Sequence, residues 1–96
     1  MRFEFHPDAD AELRAAAAEY ETEQAGLGKQ FREEFERVLG LALDNPELGT
    51  PSAFRVRRLA LRRFPYLLVY EATEGGLRIV AVAHGKRKPG YWSSRT

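Results

Sequence analysis

The stretch FPYLLVYEATEGGLRIVAVAH, residues 64–84, decides the fold because it holds two runs of strand-forming residues around a glycine turn. Residues 64–72 and 77–84 are rich in Val, Ile, Leu, Tyr and Phe, the side chains that are typical of β-strands. The connection TEGG, residues 73–76, has the length and the glycine content of a hairpin turn. The stretch therefore predicts two neighbouring antiparallel strands.

A further strand is predicted just before this hairpin. Residues 54–61 have a similar composition, and the Gly, Thr, Pro and Ser content of residues 47–53 is typical of a loop. Pro65 has no N–H to donate, so we expect it at the start of a strand or at a sheet edge. The three consecutive strands together predict a meander.

The first half of the chain predicts a strand and two helices. Residues 2–6 alternate polar and apolar side chains, as a half-buried strand does. Pro7 suits the first turn of a helix, and acidic residues follow it, where the helix dipole favours them. Gly26 and Gly28 separate two segments with apolar residues at helical spacing, and the second segment ends just before Pro46. Two helices joined so closely should pack as an antiparallel hairpin.

The order β-α-α-β-β-β predicts an α+β fold. We expect an antiparallel helical hairpin on one face of a mainly antiparallel, four-stranded sheet. With 96 residues and no cysteine, the chain is expected to form one domain over residues 1–96 without disulfides. Its apolar runs in strand-like context are five residues long, against ~20 for a membrane span, and the N-terminus does not resemble a signal peptide. We therefore expect a cytoplasmic protein that does not enter a membrane.

Charge divides the chain into two halves. Residues 1–48 contain five basic and twelve acidic residues, a formal charge of −7, whereas residues 49–96 contain ten basic and two acidic residues, a formal charge of +8. Such an asymmetry favours an acidic partner or a polyanion on one face. The alternative is that the two halves neutralise each other within the domain.

Motifs of common catalytic sites are missing from the sequence. It contains no P-loop, GxGxxG, HExxH or GxSxG, and its two histidines, His6 and His84, lack the spacing of metal ligands. We therefore expect neither a metal nor a cofactor. His84, at a predicted strand end, can act as an acid or base or can bond to neighbouring backbone. The acidic residues along the helices are expected to form a solvated surface; they are Glu19, Glu21, Glu23, Glu33, Glu34 and Glu36.

Basic and aromatic residues of the second half form the candidate binding surface. Arg55 and Arg57 are predicted on one face of a strand with Arg58 on the other, and the basic residues can converge at one end of the sheet. Arginine forks suit phosphate or carboxylate recognition, and neighbouring rings can stack on bases. Alternatively, the arginines keep an edge strand soluble, and the C-terminal rings lock the end of the chain. The candidates are Arg55, Arg57, Arg58, Arg62, Arg63, Lys86, Arg87, Tyr91 and Trp92.

Six strings spread along nearly the whole chain are informative together; they are FHPDA (5–9), LGKQF (27–31), VRRL (56–59), RFPYLLVY (63–70), IVAVAHGKR (79–87) and PGYW (89–92). In their order and spacing they resemble the RelE/ParE superfamily of type II toxin–antitoxin toxins. The resemblance would place the first strand beside the last. It also implies a cognate antitoxin whose C-terminal segment wraps the toxin, contact with operator DNA only through that antitoxin, and a possible toxin–antitoxin hetero-oligomer.

The superfamily contains two mechanisms, and the resemblance separates them by residue. RelE-like members are ribosome-dependent RNases with basic residues on the second strand, an arginine on the third, an arginine after the last strand and a C-terminal tyrosine. Arg55, Arg57 and Arg87 match three of these places, and Tyr91 matches with a two-residue shift. The third-strand arginine falls on Leu67, and losing a charge aimed at the phosphate should cost on the order of 3 kcal/mol.

The leading hypothesis is therefore a ParE-like toxin of the plasmid-stabilisation type. The string FPY, residues 64–66, resembles members that inhibit growth by binding DNA gyrase rather than by catalysis. One alternative is a RelE-like mRNA endonuclease that acts at the ribosome through Arg57, His84, Arg87 and Tyr91. Another is a non-toxic binding module of the same fold.

Overall fold

The computed structural model describes residues 2–96, in which two helices lie against one five-stranded mixed sheet. The strand order is β1-β5-β4-β3-β2, with β1 parallel to β5 and every other pair antiparallel. This confirms the predicted α+β class and the pairing of the first strand with the last. The elements are β1 (Arg2–Phe5), α1 (Pro7–Glu23), α2 (Leu27–Asp44), β2 (Thr50–Pro51), β3 (Arg57–Ala60), β4 (Tyr66–Thr73) and β5 (Gly76–His84).

The sheet has one strand more than the four predicted, and its third strand is shorter than predicted. Thr50–Pro51 pairs with β3 in a region that we predicted as loop. Phe54 and Arg55 have φ angles of 63° and 64° and belong to the 3-10 turn Ala53–Arg55. Left-handed backbone cannot continue a strand, so the prediction that Arg55 and Arg57 share a strand face is wrong.

The β4–β5 hairpin follows the prediction closely. Thr73 pairs with Gly76, so a two-residue turn joins the strands, and Gly75 within it has a φ of 84°. Glycine adopts that conformation without strain. Pro65 directly precedes β4, as expected for a residue without a backbone donor.

The helical hairpin depends on Glu21 and Gly28. The Glu21 carboxylate accepts hydrogen bonds from the backbone N–H groups of Gly26 (2.9 Å) and Gly28 (3.0 Å), donors that the start of α2 would otherwise leave unpaired. A Cβ on Gly28 would lie 2.5 Å from the carbonyl oxygen of Ala17, so only glycine lets the helices approach this closely. Glu21 is exposed, as predicted, and has this capping role in addition.

Both faces of the sheet are covered. On one face the helices bury a large core that includes Phe31, Phe35, Leu68, Tyr70 and Ile79. On the other face the C-terminal segment covers a smaller cluster, whose members are Val56, Val69, Val80, Ala81, Ala83 and Trp92. Neither helix of the described residues is long and apolar enough to cross a membrane.

Candidate functional site

Four of the predicted basic residues lie at one end of the sheet, where β3 and β5 end and β4 begins. The N–H of Gly85 donates to the carbonyl of Pro65 (2.8 Å), which holds the exit of β5 against the β3–β4 turn. All four side chains are exposed. We call this set the basic end of the sheet; it consists of Arg62, Arg63, Lys86 and Arg87.

The β3–β4 turn is fastened to α2 by polar contacts. The Glu34 carboxylate accepts from the backbone N–H of Arg62 (2.7 Å) and from the Arg37 guanidinium (2.8 Å). The Arg63 guanidinium donates to Oε1 of Gln30 (2.8 Å). The two hydrogen bonds to Glu34 hold the pKa of its carboxyl below the ordinary value, and the bond from Arg37 is the largest cause. Glu34, predicted as solvated surface, thus positions the basic end of the sheet.

The lowered pKa of Glu34 predicts a loss of stability in acid. The folded chain protonates this carboxylate less readily than the unfolded chain, so its stabilisation is present above the ordinary pKa of 4.5 and is lost as the pH falls through the lowered value. In the Glu34→Gln variant we expect the free energy of unfolding to fall less as the pH decreases than it does in the unmodified chain, which is a flattening of the pH dependence. Urea denaturation between about pH 3 and 7 measures this. An equal flattening in Glu23→Gln, at the exposed end of α1, would contradict the assignment.

Arg55, Arg57 and Arg58 do not join the basic end of the sheet. Arg57 lies on the face of β3 that points to the helices, beside Tyr70, and donates to the carbonyls of Glu47 (3.0 Å) and Gly49 (2.8 Å). It therefore fixes the loop between α2 and β2. Arg58 points to the opposite face, where its Nε is buried without a partner among residues 2–96, and Arg55 is exposed in the 3-10 turn.

A carboxylate from α1 holds the C-terminal segment to the edge of β5. Oε1 of Glu12 accepts from the N–H of Val82 (3.0 Å) and from Arg95 (2.9 Å), while Oε2 accepts from the Tyr91 hydroxyl (2.8 Å) and from Arg95 (3.1 Å). Arg95 also donates to the carbonyl of Val80 (3.1 Å). We call Glu12, Tyr91 and Arg95 the C-terminal clasp. Sequence reasoning missed Glu12 and Arg95, since no local pattern marks them.

The side chains of Arg87 and Tyr91, two of the predicted catalytic residues, are in contact. The Arg87 guanidinium lies 3.8 Å from the centre of the Tyr91 ring and 3.8 Å from Oε2 of Glu12. Burial, and then the hydrogen bond to Glu12, raise the pKa of Tyr91. The phenol therefore stays protonated at neutral pH, which makes it a poor general base.

His84 and Trp92 have structural contacts. Nδ1 of His84 accepts from the N–H of Lys86 (3.0 Å), which is the backbone role given above as one alternative, and its ring packs edge-on against Tyr66. Trp92 is 4% exposed within the cluster behind the sheet, so its ring is not offered to a partner and instead locks the C-terminal segment.

The predicted RNase set does not form one site, because Arg57 lies apart from the Arg87–Tyr91 pair. Arg57 faces the helices, whereas Tyr91 packs on the opposite face of the sheet. Leu67, at the place of the RNase arginine, packs against the same apolar cluster as Tyr91. Among residues 2–96 there is also no group of three or more His, Asp or Glu side chains placed to hold a metal ion.

Comparison with known proteins gives a family and a fold. A family model described as the ParE toxin of the type II toxin–antitoxin system parDE matches residues 3–89. A solved structure entitled "Chromosomal ParDE TA system from P. aeruginosa" has a similar fold, with a TM-score of 0.75 and 19% identity over 88% of this chain and 95% of that chain. A comparison with curated proteins gives no match. The fold of this chain, with its helical hairpin and sheet, is thus similar to that of the solved structure. Because the family model spans most of the sequence, the chain belongs to the ParE toxin family of type II toxin–antitoxin systems.

Proposed function

We propose that this ParE-family chain inhibits growth by binding DNA gyrase through a protein–protein interface and that its cognate antitoxin neutralises it in the bacterial cytoplasm. Family membership implies the antitoxin. The observation that supports binding over catalysis is the separation of Arg57 from Tyr91, which lie on opposite faces of the sheet.

The chemistry of RNA cleavage supports the same choice. Attack by the RNA's own 2′-hydroxyl needs a base, a charge that stabilises the phosphate and an acid for the leaving oxygen. The Tyr91 hydroxyl already donates to Glu12, the Arg57 guanidinium already donates to two carbonyls, and Leu67 carries no charge. An interface, by contrast, needs only exposed complementary groups.

The basic end of the sheet is the surface we propose for the target. Its four cationic side chains are exposed at one rim, and Lys86 makes no side-chain hydrogen bond or ion pair among the described residues. Acidic side chains of the antitoxin would cover the same rim and so block the target. Operator DNA would then be reached only through the antitoxin, within a toxin–antitoxin hetero-oligomer.

Supercoiling by purified gyrase tests the target. The chain is expected to inhibit the reaction, and the double variant Arg63→Glu, Lys86→Glu is expected to need about tenfold more protein, since reversing two rim charges should cost about 1.4 kcal/mol. Arg14→Glu is the matched control, because Arg14 is exposed on α1 away from the basic end. Full supercoiling activity at excess protein would refute gyrase as the target.

The Arg87–Tyr91 pair gives the RNase alternative its own test. If ribosome-bound mRNA is cut, and the cuts disappear in Arg87→Ala, the chain is a RelE-like endonuclease and the gyrase proposal fails. If induced expression without antitoxin leaves growth unchanged, the chain is a binding module that has lost toxicity.

A further inference from the structure

The outer edge of β1 is an unpaired sheet edge. The N–H of Arg2 donates to Gly75 (3.4 Å) and the N–H of His6 donates to Ile79 (2.9 Å), so the backbone groups of alternate residues face β5. Phe3 and Phe5 therefore direct their backbone N–H and C=O groups away from the sheet. No strand within residues 2–96 pairs with that side, which makes it a template for another strand.

An apolar groove of about 370 Å³ runs beside this edge, between β1 and α2. The Phe3 ring is 46% exposed there and packs edge-on against Phe5, which in turn stacks on Phe35. Exposed charged side chains of α2 form the rim; they are Lys29, Arg32, Glu33 and Glu36. Two of them are basic and two are acidic.

We propose that this edge and groove bind a second copy of the chain, through antiparallel pairing of β1 with the β1 of that copy about a two-fold axis at Phe3. In this register each Phe3 exchanges both backbone hydrogen bonds with the other Phe3. Arg2 of each copy lies opposite Glu4 of the other, so two attractive pairs form.

The charges of β1 exclude the neighbouring symmetric register. A two-fold axis at Glu4 would place the two Glu4 carboxylates directly opposite each other, and like charges in that position destabilise a strand pair. Single-sign charges along the edge would only repel a second strand. The alternation of Arg2 and Glu4 is instead complementary to itself, which is what a two-fold interface requires.

The rim of the groove has the same self-complementarity. The two-fold axis sets the α2 helices of the two copies antiparallel on one side of the joined sheet. Lys29 and Arg32 of one copy then approach Glu33 and Glu36 of the other. A four-residue strand alone buries less than the about 1,200 Å² of a stable interface, so contacts from the groove are needed and we expect micromolar affinity.

Charge reversal at the strand edge tests the proposal by sedimentation equilibrium of the purified full chain. Arg2→Glu places two acidic residues opposite acidic residues, and Glu4→Arg places basic opposite basic, so each variant alone should dimerise at least tenfold more weakly. In an equimolar mixture every opposing pair has opposite charge, and we expect heterodimers of the original affinity. Misfolded variants could not show this rescue.

Glu23→Arg is the matched control, because it makes the same charge change on the exposed end of α1 and should dimerise like the unmodified chain. A chain that is monomeric up to sub-millimolar concentration, or a mixture that fails to form heterodimers, overturns the proposal. If the reversals instead weaken only the binding of the antitoxin, the groove belongs to the antitoxin, which also overturns it. None of these outcomes depends on gyrase.

Discussion

Replacing Glu12 with alanine is expected to lower the free energy of unfolding by about 3 kcal/mol, because it breaks the C-terminal clasp. The side chains of Glu12 and Arg95 are 17% and 13% exposed. Without the carboxylate, the Tyr91 hydroxyl and the N–H of Val82 lose their acceptor, and the Arg95 guanidinium keeps only the carbonyl of Val80. Partly buried donors left in this state are costly.

Urea denaturation measures the effect of Glu12→Ala. The matched control is Glu19→Ala, which removes an exposed carboxylate from the same helix and should change the free energy of unfolding by less than about 0.5 kcal/mol. Glu12→Gln should fall between the two, since the amide can still accept a hydrogen bond but carries no charge. Equal values for Glu12→Ala and Glu19→Ala would show that the clasp contributes nothing.

Replacing Phe31 with alanine is expected to lower the free energy of unfolding by about 4 kcal/mol. Phe31 is 0% exposed, and its ring centre lies 5.2 Å from Tyr20, 5.2 Å from Phe64 and 5.1 Å from Tyr66. The ring thereby joins both helices to the start of β4. Its removal leaves a cavity at the point where the hairpin meets the sheet.

Thermal unfolding followed by circular dichroism checks Phe31→Ala, with a fall in Tm on the order of 15–30 °C for a domain of this size. Leu41→Ala is the control, because Leu41 lies on the same helix and is 41% exposed. It should cost less than about 1 kcal/mol. A similar fall in both variants would mean that the aromatic cluster is not the main contact between the layers.

Elements that depend on local spacing could be predicted from the sequence, and elements that depend on distant contacts could not. The two helices and the β4–β5 hairpin follow from apolar period, glycine positions and a two-residue turn. The short strand Thr50–Pro51 has no such pattern. It lies beside a loop that the Tyr70 hydroxyl holds in place. That hydroxyl accepts from the N–H of Gly49 (2.9 Å) and donates to the carbonyl of Pro46 (2.8 Å), and both residues are more than twenty positions away from Tyr70 in sequence.

The candidate site shows the same division. Composition marked the basic residues of the second half, and the structure places four of them at one end of the sheet. Composition could not show that the Arg57 guanidinium donates to backbone carbonyls, because those carbonyls belong to a loop whose path cannot be predicted from local sequence. Nor could composition pair Glu12 with Arg95, since the two residues lie 83 positions apart. That pair joins the acidic half to the basic half, so the two halves do partly neutralise each other.

The clasp also bears on the order in which parts of the chain fold. β1 needs β5 as its partner, and Glu12 needs Arg95, 83 residues away in sequence. Contacts of such long sequence separation form slowly, because the chain must close a large loop before they stabilise it. The helical hairpin and the β4–β5 hairpin, whose contacts are local, are therefore expected to form before β1 and the clasp complete the fold.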